Sequence, residues 1–77
     1  MTNETLWPPE RIRALRGPRT QVEFAKVLGV HRVTVARWEI GRHPPTALAI
    51  RELDDEERTI ARRAVAVASA VKWIHDD

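Results

Sequence analysis

Thr20-Gln21-Val22-Glu23-Phe24-Ala25-Lys26-Val27-Leu28-Gly29-Val30-His31-Arg32-Val33-Thr34-Val35-Ala36-Arg37-Trp38-Glu39-Ile40-Gly41 is punctuated as two short helices joined by a tight turn. Thr20 and Glu23 have the spacing of a capping box, which starts a helix near Gln21. Phe24, Val27 and Leu28 supply its apolar face. Gly29 ends it, because glycine enters the left-handed conformation at little cost. A second helix starts at His31 or Arg32 and runs to Ile40, with Val35 and Trp38 on its inner face, and Gly41 closes it. So short a turn forces the two helices to cross steeply, at ~90–120°. A steep crossing needs a small residue where the backbones approach, and Ala25 fits. It also needs aliphatic residues buried on both sides, and Val30 and Val35 are in place.

Working upstream, Pro8-Pro9-Glu10 is a helix start, since proline is tolerated in the first turn and an acid suits the positive end. This helix runs to about Arg16, with Ile12 and Leu15 on one face, and Gly17-Pro18 ends it. Residues 1–8 read as a mostly irregular arm carrying Leu6 and Trp7. Downstream, Pro44-Pro45-Thr46 opens a fourth helix with Leu48, Ala49 and Leu53 inward. Asp54-Asp55-Glu56-Glu57 reads as a break followed by the acidic start of a fifth helix. That helix is the longest, ~20 residues or ~30 Å at 1.5 Å per residue. Ile60, Ala64, Val67, Val71 and Ile74 recur along it at alternating spacings of four and three. With no strand pattern, the chain reads as all-α with five helices. The divisions are an arm over 1–8, a compact unit over 9–54 and a C-terminal helix over 55–77.

A chain of 77 residues holds one domain at most, and a domain this small buries only ~60% of its unfolded surface. Such a domain often gains from a partner. The absence of cysteine excludes disulfides, cysteine zinc sites and iron–sulfur clusters. No apolar run is long enough for a membrane span, and Met1 to Pro9 lacks the pattern of a secretory signal, so a cytoplasmic location is expected. An enzyme is not expected either. Ser69 is the lone serine and has no activating histidine nearby in sequence, no glycine-rich phosphate loop occurs, and His31, His43 and His75 lack metal-ligand spacing. No cofactor or metal is expected. Net charge is only +2, but it is unevenly spread. Residues 10–51 hold nine basic residues against three acidic, a net of +6, and residues 52–77 hold four against seven, a net of −3. The basic excess sits in the block that contains the two-helix motif.

Thr20-Gln21, Phe24-Ala25, Leu28-Gly29-Val30, Val35 and Arg37-Trp38-Glu39-x-Gly41, with prolines soon after, together resemble the Cro/repressor-type helix-turn-helix family of DNA-binding proteins. Ile12-Arg13-Ala14-Leu15-Arg16 looks like the family's first helix, so the resemblance spans roughly residues 9–54. Two features differ. The Gly17-Pro18-Arg19 link is about two residues shorter than usual in the family. His31 stands where the family commonly has Ser or Thr as a helix cap; histidine caps less well, which implies either a less fixed helix start or a nucleic-acid contact at His31.

The resemblance implies that the helix after Gly29 enters the major groove. Arg32, Val33, Thr34 and Arg37 would then meet bases: arginine pairs in bidentate fashion with guanine, and Val33 suits a thymine methyl. Gln21, His31, Arg42 and His43 would meet phosphates, with Arg19 either a further phosphate contact or a loop cation. Arg16, Ala25, Gly29, Val35, Trp38, Glu39 and Gly41 would hold the motif, Glu39 by pairing with Arg16. Duplex DNA is the implied partner, and repression by promoter occlusion the implied mode. Small proteins of this kind are common in phages and mobile elements.

The last helix is apolar on more than one face, through Ala61, Val65, Ala68, Ala66, Ala70 and Trp73 as well as the main stripe. One face is expected on the core and the other on a second copy, with Val67, Val71, Trp73 and Ile74 at the interface. Two recognition helices would then lie ~34 Å apart and read a pseudo-palindrome. The acidic run would point away from the phosphates, with weak pairs such as Asp54–Arg58. Trp7 and Trp73 are expected to pack on each other or on a partner. The alternative is an antitoxin-like interaction protein whose C-terminal helix binds another protein.

Overall fold

The structure, a computed structural model, describes the backbone over residues 6–75 and the side chains over residues 6–70. Within these residues there are four helices and no strand: α1 (Pro9–Arg16), α2 (Gln21–Leu28), α3 (Arg32–Glu39) and α4 (Ala47–His75). The first three have the limits that local punctuation dictates. Pro9 occupies the first turn of α1. The Thr20 hydroxyl accepts from the Glu23 N–H at 3.0 Å, and the Glu23 carboxylate accepts from the Thr20 N–H at 2.8 Å, so both halves of the capping box form. Gly29 takes the left-handed conformation at φ 73°, which lets the Val30 N–H reach back to the Ala25 carbonyl at 3.0 Å.

The expected fifth helix does not exist as a separate element. Residues 47–75 form one helix of 29 residues, and the acidic run lies in its middle. No glycine or proline interrupts this segment, and a mid-helix acid costs only a few tenths of a kcal/mol. Each carboxylate also finds a partner. Asp54 accepts from the Trp7 indole N–H at 2.9 Å, Glu56 from Arg19 at 2.8 Å, Glu57 from Arg11 at 2.9 Å and Asp55 from Arg58 at 3.3 Å. The expected Asp54–Arg58 pair is therefore replaced by Asp55–Arg58. The run that looked like a break is the surface on which the N-terminal half of the chain is fastened.

The core comprises Ile12, Phe24, Ala25, Leu28, Val35, Trp38, Ala49 and Leu53, and also Trp7. Trp7 is only 1% exposed, so it belongs to the core rather than to a free arm. The Arg11 guanidinium lies 3.7 Å from its ring centroid and also donates to the Leu6 carbonyl. Two residues expected inside are outside: Val27 is 50% and Leu48 72% exposed. Both line an open groove between the end of α2 and the first turns of α4. An apolar period identifies a face but not whether anything covers it. Beyond Ile60 the helix leaves the core, and every residue from 61 to 70 is exposed. No residue of that stretch is buried in the core, contrary to the expectation for one face, although Arg63 lines an open groove with Ile60 and the end of α1. Val71, Trp73 and Ile74 fall outside the residues whose side chains are described.

Candidate nucleic-acid interface

The geometry around α3 begins with its ends. His31 is the N-cap residue, in extended backbone, and its ring Nδ1 accepts the Val33 N–H at 3.1 Å. The histidine thus does the work of a Ser or Thr cap, and the helix start is fixed. At the other end the Arg42 N–H returns to the Arg37 carbonyl at 2.8 Å, which holds the following loop against the helix. Val35 and Trp38 bury the inner side of α3. The outer side follows from the helical period: His31, Arg32 and Arg37 are exposed, and Val33 and Thr34 are half-buried between them. Arg42 and His43 are exposed in the loop just after it.

The charges on this side are unmatched. Among the described residues, no carboxylate pairs with Arg32, Arg37 or Arg42. Arg11, Arg16, Arg19 and Arg58 each pair with an acid. Arg19 also donates to the Arg16 and Leu15 carbonyls, closing the end of α1. Its charge is already met by Glu56, so the phosphate contact expected of it has no free cation behind it.

Glu39 is the one acid of α3 and is 4% exposed. Arg16 donates to it twice, from Nε at 2.7 Å and from Nη2 at 3.1 Å. Gln21 adds a third bond from its amide at 3.0 Å. Burial pushes the Glu39 carboxyl up, but the bonds from Arg16 and Gln21 and the charges of Arg16 and Arg13 outweigh it and hold the carboxyl below its usual range. The same hydrogen bond raises Arg16, against a smaller opposing effect of burial. Arg13 donates to the Glu39 carbonyl, placing a cation at the negative end of α3. One buried acid therefore ties together α1, the first residue of α2 and the last of α3, and its charge is cancelled before it can repel phosphate.

Sequence reasoning reached Arg16 and Glu39 but not the joining of Arg13 and Gln21 to the same residue. The signal available was spacing: Arg13 and Arg16 are three apart on one face of α1. Gln21, expected at phosphate, lies half-buried at the head of α2 with its amide turned to Glu39. Among the described residues, no group of three or more His, Asp or Glu could hold a metal ion, and no helix is long and apolar enough to cross a membrane.

Comparison with known proteins gives one match of consequence. A helix-turn-helix family model matches residues 12–55, more than half of the chain. No curated protein and no solved structure matches. The matched span opens in α1, covers α2, α3 and the turn between them, and ends in the acidic run of α4. The chain belongs to the Cro/repressor-type helix-turn-helix family of DNA-binding transcription regulators.

Proposed function

We propose that this protein is a sequence-specific repressor that lays α3 in the major groove of duplex DNA and occludes a promoter. The observation that carries this reading is the distribution of charge about α3. Arg32, Arg37 and Arg42 are exposed and unmatched by any acid among the described residues, while the helix's own acid is buried and neutralised. Arg32 and Arg37 read base edges, with Val33 and Thr34 between them. Gln21, His31, Arg42 and His43 fix the register on the phosphates. The protein acts in the cytoplasm.

Selection of bound sequences from random duplex DNA tests this. A defined motif is expected, and Arg32→Ala and Arg37→Ala should each cost ~1–3 kcal/mol at particular base pairs. Recovery of no motif would overturn the reading. Arg42→Ala should weaken binding to all sequences alike and lower the salt slope by about one.

The operator is a pseudo-palindrome bound by a homodimer formed through the exposed end of α4. The support is that Ala64 to Ala70 is an uncharged, wholly exposed stretch of helix, a surface that a small domain gains by covering. Val67 is 62% exposed and lies in register with buried Leu53 and with Ile60. Val67→Glu is expected to give a monomer by sedimentation, to keep the helical content of the domain and to remove the concentration dependence of its melting temperature. A dimer that survives this substitution would place the interface elsewhere.

A further inference from the structure

The cap of α3 fixes more than the start of the helix. A backbone N–H can only donate, so the His31 Nδ1 that meets the Val33 N–H at 3.1 Å must present a lone pair. A neutral imidazole has one donor and one acceptor nitrogen. The proton of the capping ring is therefore on Nε2, and an imidazolium, with two donors, could not make this cap. The His31 carbonyl also accepts from the Thr34 N–H at 2.9 Å, so ring and backbone together close the first turn. The residue is exposed, and among the described residues nothing accepts from Nε2. One N–H donor of fixed position thus faces solvent at the entrance of α3, beside the guanidinium of Arg32, which no acid among the described residues pairs.

We propose that this Nε2–H donates to a phosphate oxygen of the DNA backbone, so that one neutral histidine both caps α3 and anchors it to the duplex. The inference rests on the reading of α3 as the DNA-binding helix, and it names the atom and protonation state through which His31 acts. A phosphate is favoured over a base because the ring precedes the helix and offers a single donor, whereas base discrimination relies on paired donors and acceptors. The positive end of the helix favours an anion at the same place. The double use of the ring has a consequence. The donor is held in position only while the cap is formed, so the start of α3 and its register on the DNA are set together.

Two near-isosteres separate the roles. In His31→Asn the side-chain oxygen can take the place of Nδ1, keeping the cap, but the distal donor is gone. In His31→Gln the amide nitrogen can reach the distal position, but the cap is lost. The Asn variant is expected to melt like the parent and to bind all duplex sequences about tenfold more weakly. Its salt dependence should be unchanged, because a neutral donor releases no counterion. The Gln variant is expected to melt at lower temperature and to retain more affinity than His31→Ala. Nitrogen NMR of the free protein should show the proton on Nε2.

Parent-like affinity of the Asn variant would overturn the phosphate contact. A salt slope lower by about one would show an imidazolium contact instead, and an altered base preference would show a base contact. A proton on Nδ1 would overturn the cap-fixed tautomer. Failure of the parent itself to bind duplex DNA would remove the reading of α3, a result distinct from any of these.

Discussion

Trp7→Ala is expected to remove about 3–5 kcal/mol of folding stability, enough to leave most of the chain unfolded. A single core of this size rarely supplies more than ~3–5 kcal/mol in total. Trp7 is among the largest fully buried side chains, with Phe24, Ile12, Leu53 and Val35. It lies before α1, yet its indole N–H is bonded to Asp54 on α4 at 2.9 Å. Arg11 covers its face and reaches on to Glu57 at 2.9 Å. Removing the ring therefore opens a cavity, frees the segment ahead of α1 and takes away one of the three contacts of Arg11, which also reaches the Leu6 carbonyl and Glu57. Trp7→Phe keeps most of the buried surface and loses the hydrogen bond to Asp54, so its cost should be nearer 1 kcal/mol. Urea unfolding followed by circular dichroism measures both. A cooperative transition for Trp7→Ala with a midpoint close to the parent would show that the core does not depend on this residue.

Trp7 also shows where the sequence is legible and where it is not. The limits of α1, α2 and α3 follow from rules that act over three to five residues: a proline in a first turn, the Thr20–Glu23 box, Gly29 in the left-handed turn. All of that information lies within the segment it governs. The continuity of α4 does not work this way. Four acids in a row look like the start of a helix because acids favour that end. What makes them interior here is Trp7, Arg11 and Arg19, which lie 47, 46 and 37 residues away. No local window contains those partners. The same limit applies to Val27 and Leu48, whose apolar character says nothing about which neighbour is present to cover them. For the candidate interface, Val35 and Trp38 mark the inner side of α3 in the sequence, while the assignment of Arg32, Val33, Thr34 and Arg37 to the other side comes with the family resemblance, and Val33 and Thr34 are half-buried. The attachment of Gln21 and Arg13 to Glu39 is not legible there, since it depends on how three helix ends converge.

That convergence makes Glu39 the second sensitive position. Glu39→Ala should cost about 3–5 kcal/mol, the usual result of breaking a buried ion pair by deleting one partner. The alanine leaves the Arg16 guanidinium without its bidentate acceptor and the Gln21 amide without its bond. Arg16 retains 24% of its side-chain exposure, so water can relieve part of the loss, and the lower end of that range is expected. The pair also predicts an acid dependence. The folded protein holds the Glu39 carboxyl below the ordinary value of 4.5. A depressed carboxyl contributes stability that is present above the unfolded value and is lost as pH falls through the folded one. Parent stability should therefore decline as pH drops from about 4.5, and Glu39→Gln, which cannot ionise, should show a shallower decline over the same interval. Equal slopes would mean that another group controls acid unfolding. The double replacement Arg16→Met with Glu39→Leu separates stability from recognition. Apolar side chains of similar volume often substitute for a buried pair without loss, so the double variant should unfold at a higher urea concentration than Glu39→Ala. Its Gln21 amide still lacks an acceptor at the head of α2. Weaker binding to all duplex sequences by a variant that is fully folded would show that the buried acid positions Gln21 for the phosphate, beyond holding the helices together.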